Sequence, residues 1–334
     1  MKKNSWLLLF WLLIPLLIGW ALRDIHFGDI LQALQSLGGA QILTLMALNG
    51  LVILLMAGRW WLILRAQGYP LSYLSVVGYR LVAFGISYFT LGPQIGGEPA
   101  QVHYLQSRHG IPLSRALAAV SLDKILELLA SFAFMLVGLS AALVTGLMAE
   151  WAPFQVMAWI AGPFALLLAY TIAVWSGKTP LAALLRRIHL RHEALLRLAR
   201  AAASAEGQIS QFCQQKPLAV VGASLFSLMT GCAMLLEYWV TLKFLGIQVN
   251  LFQAIAVLTA ALMAFLFPLP GGLGALEASQ VLAMTALGFN PALGLSASLL
   301  IRARDISLGG LGLLWAGVLA RQAAPAVAPT QIVE

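Results

Sequence analysis

The residues of this sequence that could do chemistry are ionisable side chains set inside apolar stretches: Arg80, Glu98, Asp123, Lys124, Glu127, Glu277, Arg302, Arg304 and Asp305. Such a group at the centre of a bilayer costs about 2.5 to 3.5 kcal/mol on insertion scales, so each is expected to be paired or to face a polar cavity. Asp123 and Glu127 are four apart and share one helical face, while Lys124 points about 100° away. Two carboxylates on one face repel unless a cation or a proton lies between them. They read either as a proton-linked or arginine-paired site, or as a solvated face, because Asp123 is only about 10 Å past the start of its helix. Arg302 and Asp305, three apart, are placed to pair with each other. Alternatively Arg302, well inside its helix, acts near the midplane.

Two glycine pairs interrupt the apolar pattern. Pro93-Gln94-Ile95-Gly96-Gly97 precedes Glu98-Pro99, and Pro268-Leu269-Pro270-Gly271-Gly272 precedes Leu273-Gly274 and Glu277. A helix restarting after such a break turns unsatisfied N–H groups, equivalent to about half a positive charge, towards the membrane interior. Pro99 suits the first turn of such a helix. With Arg80 and Arg302 the two restarts make one midplane cavity for a phosphate or other anionic headgroup. The expected substrate-binding set is Arg80, Gly96, Gly97, Glu98, Gly271, Gly272, Gly274, Glu277 and Arg302, with Asp123, Glu127 and Asp305 as coupling residues. Glu98 and Glu277 suit helix capping equally well.

Other chemistries find little support. The glycines are not a nucleotide loop, since no Gly-Lys-Ser/Thr follows and no strand pattern precedes them. The histidines are scattered, with no HExxH spacing, and Cys213 and Cys232 form no close pair, so no catalytic residue, metal site or cofactor is expected.

The elements that must hold these residues are membrane helices. Of 334 residues, 61% are apolar and only 10% charged, against about a quarter charged in ordinary soluble domains. Runs long enough to cross about 30 Å of hydrocarbon cover approximately residues 5–22, 40–58, 73–91, 116–148, 153–175, 217–245, 251–268 and 292–318. The first, behind Lys2-Lys3, reads as an uncleaved anchor. The basic stretch 178–216 belongs in the cytoplasm with the N-terminus, which requires an even number of crossings between them. Residues 73–112 must therefore enter and leave on one side as a re-entrant hairpin, irregular backbone being allowed at that depth only inside protein or beside water. Within the basic stretch, residues 181–200 have the pattern of a helix on the membrane surface. The net charge of +8 is thus explained by topology, and nucleic-acid binding is not expected. Arg59 falls in the cytoplasm on this scheme, and Trp60-Trp61 in the interfacial belt.

The expected fold is all-α and polytopic: a single transmembrane domain, 1–334, with about six full spans and two re-entrant hairpins in an inverted repeat. Its first half, 1–148, carries the cytoplasm-facing hairpin 73–112. The basic amphipathic linker 178–216 joins it to a second half, 217–321, whose hairpin 251–288 faces outside. Paired interrupted segments in opposite halves point to an inverted-repeat transporter.

Arg59-Trp60, Gly96-Gly97-Glu98-Pro99, Asp123-Lys124, Pro270-Gly271-Gly272-Leu273-Gly274 with Glu277, and Arg302 together resemble the flippase-like family. This is the transmembrane region of lysylphosphatidylglycerol synthases and its stand-alone relatives. The stretch Gln94 to Val102 is similar to the hopanoid-biosynthesis-associated branch. Many members have Arg where this sequence has Lys124. The resemblance implies lipid translocation between leaflets of the bacterial inner membrane, with both termini cytoplasmic. The chain stops at Glu334 soon after its last span, so the synthases' aminoacyl-transferase domain is expected to be missing. Two alternatives stay open: a membrane-embedded lipid-modifying enzyme using a carboxylate pair such as Asp123 and Glu127, and a scaffold for lipid-biosynthesis enzymes, including those of hopanoids. In each the partner is a membrane lipid, anionic or polar-headed, or a lipid-linked precursor.

Overall fold

The computed structural model describes residues 35, 37–90, 96–145, 153–187, 193–267 and 269–322. The expected span 5–22 and the first break at Leu91 to Ile95 lie outside them. Among the described residues the regular structure is helical, with no strand. The order is α1 (Gly39–Ala66), α2 (Tyr73–Phe89), α3 (Glu98–His109), α4 (Leu113–Val144), α5 (Pro153–Trp175), α6 (Pro180–Arg187), α7 (Glu193–Gln215), α8 (Pro217–Phe244), α9 (Leu251–Ala264), a 3₁₀ turn (Pro270–Gly272), α10 (Ala275–Ala286) and α11 (Pro291–Arg321). α1, α4, α8 and α11, and Met157–Trp175 of α5, are long and apolar enough to cross a membrane; α2 and α9 are apolar but shorter. The protein is thus an all-α, multi-pass membrane protein.

Local chemistry sets the boundaries. Ser72 accepts from the Ser75 N–H at 3.3 Å to cap α2, and Asn250 accepts from the Gln253 N–H at 2.9 Å to cap α9, with the Gln253 amide oxygen accepting in return. Proline opens α8 and α11, where its missing N–H is no loss. Gly68, Gly110, Gly246 and Gly288, all with positive φ, turn the chain after α1, α3, α8 and α10.

Four helix pairs make the most extensive contacts among the described residues: α1 on α8, α2 on α11, α4 on α9, and α10 on α11. In lipid no hydrophobic effect drives helices together, so close packing over small residues must do it. A Cβ on Gly312 would overlap the Leu81 carbonyl, one on Gly85 would stand 2.6 Å from the Gly309 carbonyl oxygen, and one on Gly138 would overlap Thr259. α1 and α8 run antiparallel: Asn49 meets Glu237, Arg59 meets Ser227, and Gly222 meets Leu62, so one helix advances as the other retreats. Trp60, expected at the membrane interface, is fully buried in the core with Ile63 and Leu64.

The linker is two helices rather than one. α7 continues to Gln215, well past the expected end at 200, and a single residue, Lys216, separates it from α8. The Glu206 carboxylate on α7 accepts from the N–H groups of Leu181 and Ala182, each at 2.8 Å, and so caps α6.

Candidate functional site: two buried charge clusters

The first cluster joins α1, α2, α3 and α4. The Arg59 Nε donates to Asp123 Oδ1 at 2.6 Å and its Nη2 to Glu127 Oε2 at 2.7 Å, while Nη1 reaches Ser227 Oγ at 3.1 Å. Arg80 on α2 donates to Asp123 Oδ2 at 2.7 Å and also pairs with Glu127. Lys124 bridges Glu127, at 2.8 Å, to Glu98 at 3.3 Å. The expected repulsion between Asp123 and Glu127 is therefore relieved by two guanidinium groups lying against both carboxylates. Arg59, Arg80 and Lys124 balance Glu98, Asp123 and Glu127 in charge, as burial requires.

Sequence counted Arg59 among the cytoplasmic charges rather than among those held within the membrane domain; the structure buries it, 1% exposed, inside the cluster. A charge at the end of an apolar run is assigned to the interface by its position alone. Its partners, 64 and 68 residues away, carry no local signal.

The second cluster lies between α8, α10 and α11 and the turn before α10. Arg302 pairs with Glu277, and its Nη1 donates to the Gly271 carbonyl at 3.3 Å. Glu277 accepts the Gly274 N–H at 3.0 Å, capping α10. The local Arg302–Asp305 pair does not form. Asp305 is instead held by Arg304 Nε at 2.7 Å, and Arg304 Nη1 also reaches Glu237 at 2.9 Å. The carboxamide of Asn49 donates to the other Glu237 oxygen at 3.5 Å. Glu237, absent from the sequence-derived set, is buried near the far end of α8.

The glycines divide by role. Gly96 and Gly274 each give their N–H to the glutamate that follows, Glu98 at 2.9 Å and Glu277 at 3.0 Å. Gly97 lets α3 approach α2, because a Cβ there would overlap the Ala83 backbone, and its N–H donates to Ser87 Oγ at 2.8 Å. Gly271 and Gly272 have φ of 59° and 63° and pack on Tyr88 and Phe265, so a side chain at either is strained. Arg80 and Arg302, expected to face one midplane cavity, share no hydrogen-bond partner among the described residues, and each pairs within its own group of charges. Among the described residues no group of His, Cys, Asp or Glu could hold a metal ion.

Long apolar helices that hold charges against one another inside their bundle define a polytopic membrane protein. The family described as Lysylphosphatidylglycerol synthase TM region matches residues 7–311, and the chain belongs to it. A search of curated proteins finds none that matches. Family membership ties the protein to a function concerned with membrane lipids.

Proposed function

We propose that the protein moves a polar-headed lipid between the leaflets of a bacterial inner membrane, working as two inverted halves with both termini in the cytoplasm. The observation that carries this reading is a set of contacts recurring at a constant shift of 178 positions. Trp61 donates to the Leu71 carbonyl at 3.0 Å, and Trp239 to that of Val249 at 3.1 Å. Arg65 lies 5.0 Å over the Trp61 ring and Lys243 4.4 Å over that of Trp239. Gly68 matches Gly246, the cap Ser72 matches Asn250, Gly96 matches Gly274, and Lys124 matches Arg302. The Arg59–Ser227 and Glu237–Asn49 contacts are one pair of positions exchanged between halves.

Packing of α2 on α11 is likewise that of α9 on α4 with the halves interchanged. Equivalent helices α1 and α8 meet antiparallel, so an axis relating them is perpendicular to both. For membrane-crossing helices that axis lies in the membrane plane, which supports inverted rather than parallel halves. Aligning the two Pro-x-x-Gly-Gly motifs would give a shift of 175, but the contacts favour the longer register.

Within this scheme the two hairpins, 73–112 and 251–288, bring carboxylate-capped helix starts to a headgroup path while the lipid tails remain in hydrocarbon. Rocking of one half against the other exposes the path to either side. Asp123 and Glu127, each held by two guanidinium groups, suit holding α1, α2 and α4 together better than acting as a free catalytic base. The test is reconstitution of the full chain in vesicles with fluorescent phosphatidylglycerol, phosphatidylethanolamine and a hopanoid, reading leaflet exchange by quenching from outside. Exchange of at least one lipid, lost on Arg302→Gln, is expected. No exchange of any of them overturns the reading.

A further inference from the structure

We infer that Glu277 is a built-in stand-in for the headgroup: its carboxylate fills an anion site made by Arg302 and the start of α10, and an incoming phosphate displaces it. This rests on the lipid-transport reading and names how the site is regulated.

Two independent observations point to a ligand. The first is the start of α10, a helix of 12 residues whose first-turn N–H groups have no intrahelical acceptor. The second is Arg302, 1% exposed, whose guanidinium reaches into the turn through Nη1 on Gly271 and a bond to Glu277, while its Nε has no partner among the described residues. A buried guanidinium with an unused donor has capacity for a further anionic oxygen.

The geometry also distinguishes the closed side of the site from the open one. The Arg302 side chain is 1% exposed, and that of Glu277 is 26% exposed. An anion arriving from outside the bundle meets the carboxylate first. Gly274, whose N–H holds that carboxylate, has nothing within 4 Å of where a Cβ would be, so space exists beside the donor. The carboxylate therefore bonds the two groups a phosphate would use, a backbone N–H and a guanidinium, from the accessible side. Glu98 repeats the pattern in the other half, accepting from the Gly96 N–H and pairing with Lys124.

A stand-in and a ligand-binding residue predict opposite signs for one substitution. Glu277→Gln retains an oxygen for the Gly274 N–H and removes the competing charge. Titration of the purified full chain in neutral detergent with dihexanoylphosphatidylglycerol and, separately, with inorganic phosphate measures the effect. Tightening by about tenfold for at least one probe is expected, the size of one lost charge-assisted competitor, with binding abolished by Arg302→Gln. Whichever probe is tightened identifies the source of the phosphate as lipid or free anion.

Glu277→Asp, which retains the charge on an arm too short to span both partners, is the second variant, and intermediate tightening is expected. Unchanged or weaker binding in Glu277→Gln, with a melting temperature like that of the parent, overturns the inference. If the parent exchanges lipid in vesicles while Glu277→Gln binds no tighter, the stand-in role alone falls. If Glu277→Gln binds tighter while the parent exchanges no lipid, the stand-in remains and the transport reading falls.

Discussion

Arg59 on α1 and Asp123 on α4 are joined Nε to Oδ1 at 2.6 Å, with side-chain exposures of only 2% and 3%. Neither is near water, so each depends on the other for its charge to be tolerated. Removing one partner of a buried pair typically costs about 3–5 kcal/mol, whereas replacing both with apolar groups is far milder. Asp123→Leu is expected to lower the thermal midpoint in detergent sharply, and adding Arg59→Met to restore much of the loss. Equal and additive losses would show that the pair carries no coupling.

Close approach of α2 and α11 makes a second, steric prediction. A methyl at Gly312 would run into the Leu81 carbonyl, whereas Gly310, two residues earlier, has nothing within 4 Å. Gly312→Ala is expected to cost about 1–3 kcal/mol by forcing the helices apart, and Gly310→Ala to be close to neutral. Thermal melts of the two variants check this.

The second cluster predicts a rescue. Arg304 is the cation that both Glu237 and Asp305 touch. Arg304→Met leaves the buried Glu237 and Asp305 carboxylates without their shared cation and is expected to reduce folded yield severalfold. Glu237→Gln in the same chain removes one of the charges and should recover part of it. Size-exclusion profiles of the single and double variants decide the matter.

Outside the spans, burial on α7 pushes the Cys213 thiol up to about 11. Since the thiolate is the reactive form, Cys213 is expected to resist a water-soluble maleimide at pH 8 in the folded protein and to react once detergent denatures it. Rapid labelling of the folded chain at Cys213 would show that α7 does not pack as described.

The helix starts at Glu98 and Ala275 were legible in the sequence because their punctuation is chemical: Pro99 and Pro270 have no N–H to extend a preceding helix, and Gly271, Gly272 and Gly274 take positive φ. Glu277 and Arg302 were legible because a charge in an apolar run is conspicuous. Arg59 and Glu237 were not, since each stands near the end of its run, where a solvated position explains it equally well. They become conspicuous only when Arg59-Trp60-Trp61 is set against Glu237-Tyr238-Trp239, a comparison that needs the register and not the motif. The Arg302–Asp305 pairing failed because Arg304, adjacent to Asp305, offered a closer guanidinium and left Arg302 for the turn.

Lys216 is the whole connection between α7, which packs on α4, and α8, which packs on α1. A joint of one residue leaves no slack. The start of α8 must therefore follow the end of α7, and a rotation of α8 against α7 turns about that corner, like a door on its pin. The displacement it produces grows with distance along α8, so it is least beside Pro217 and greatest beside Glu237 and Lys243.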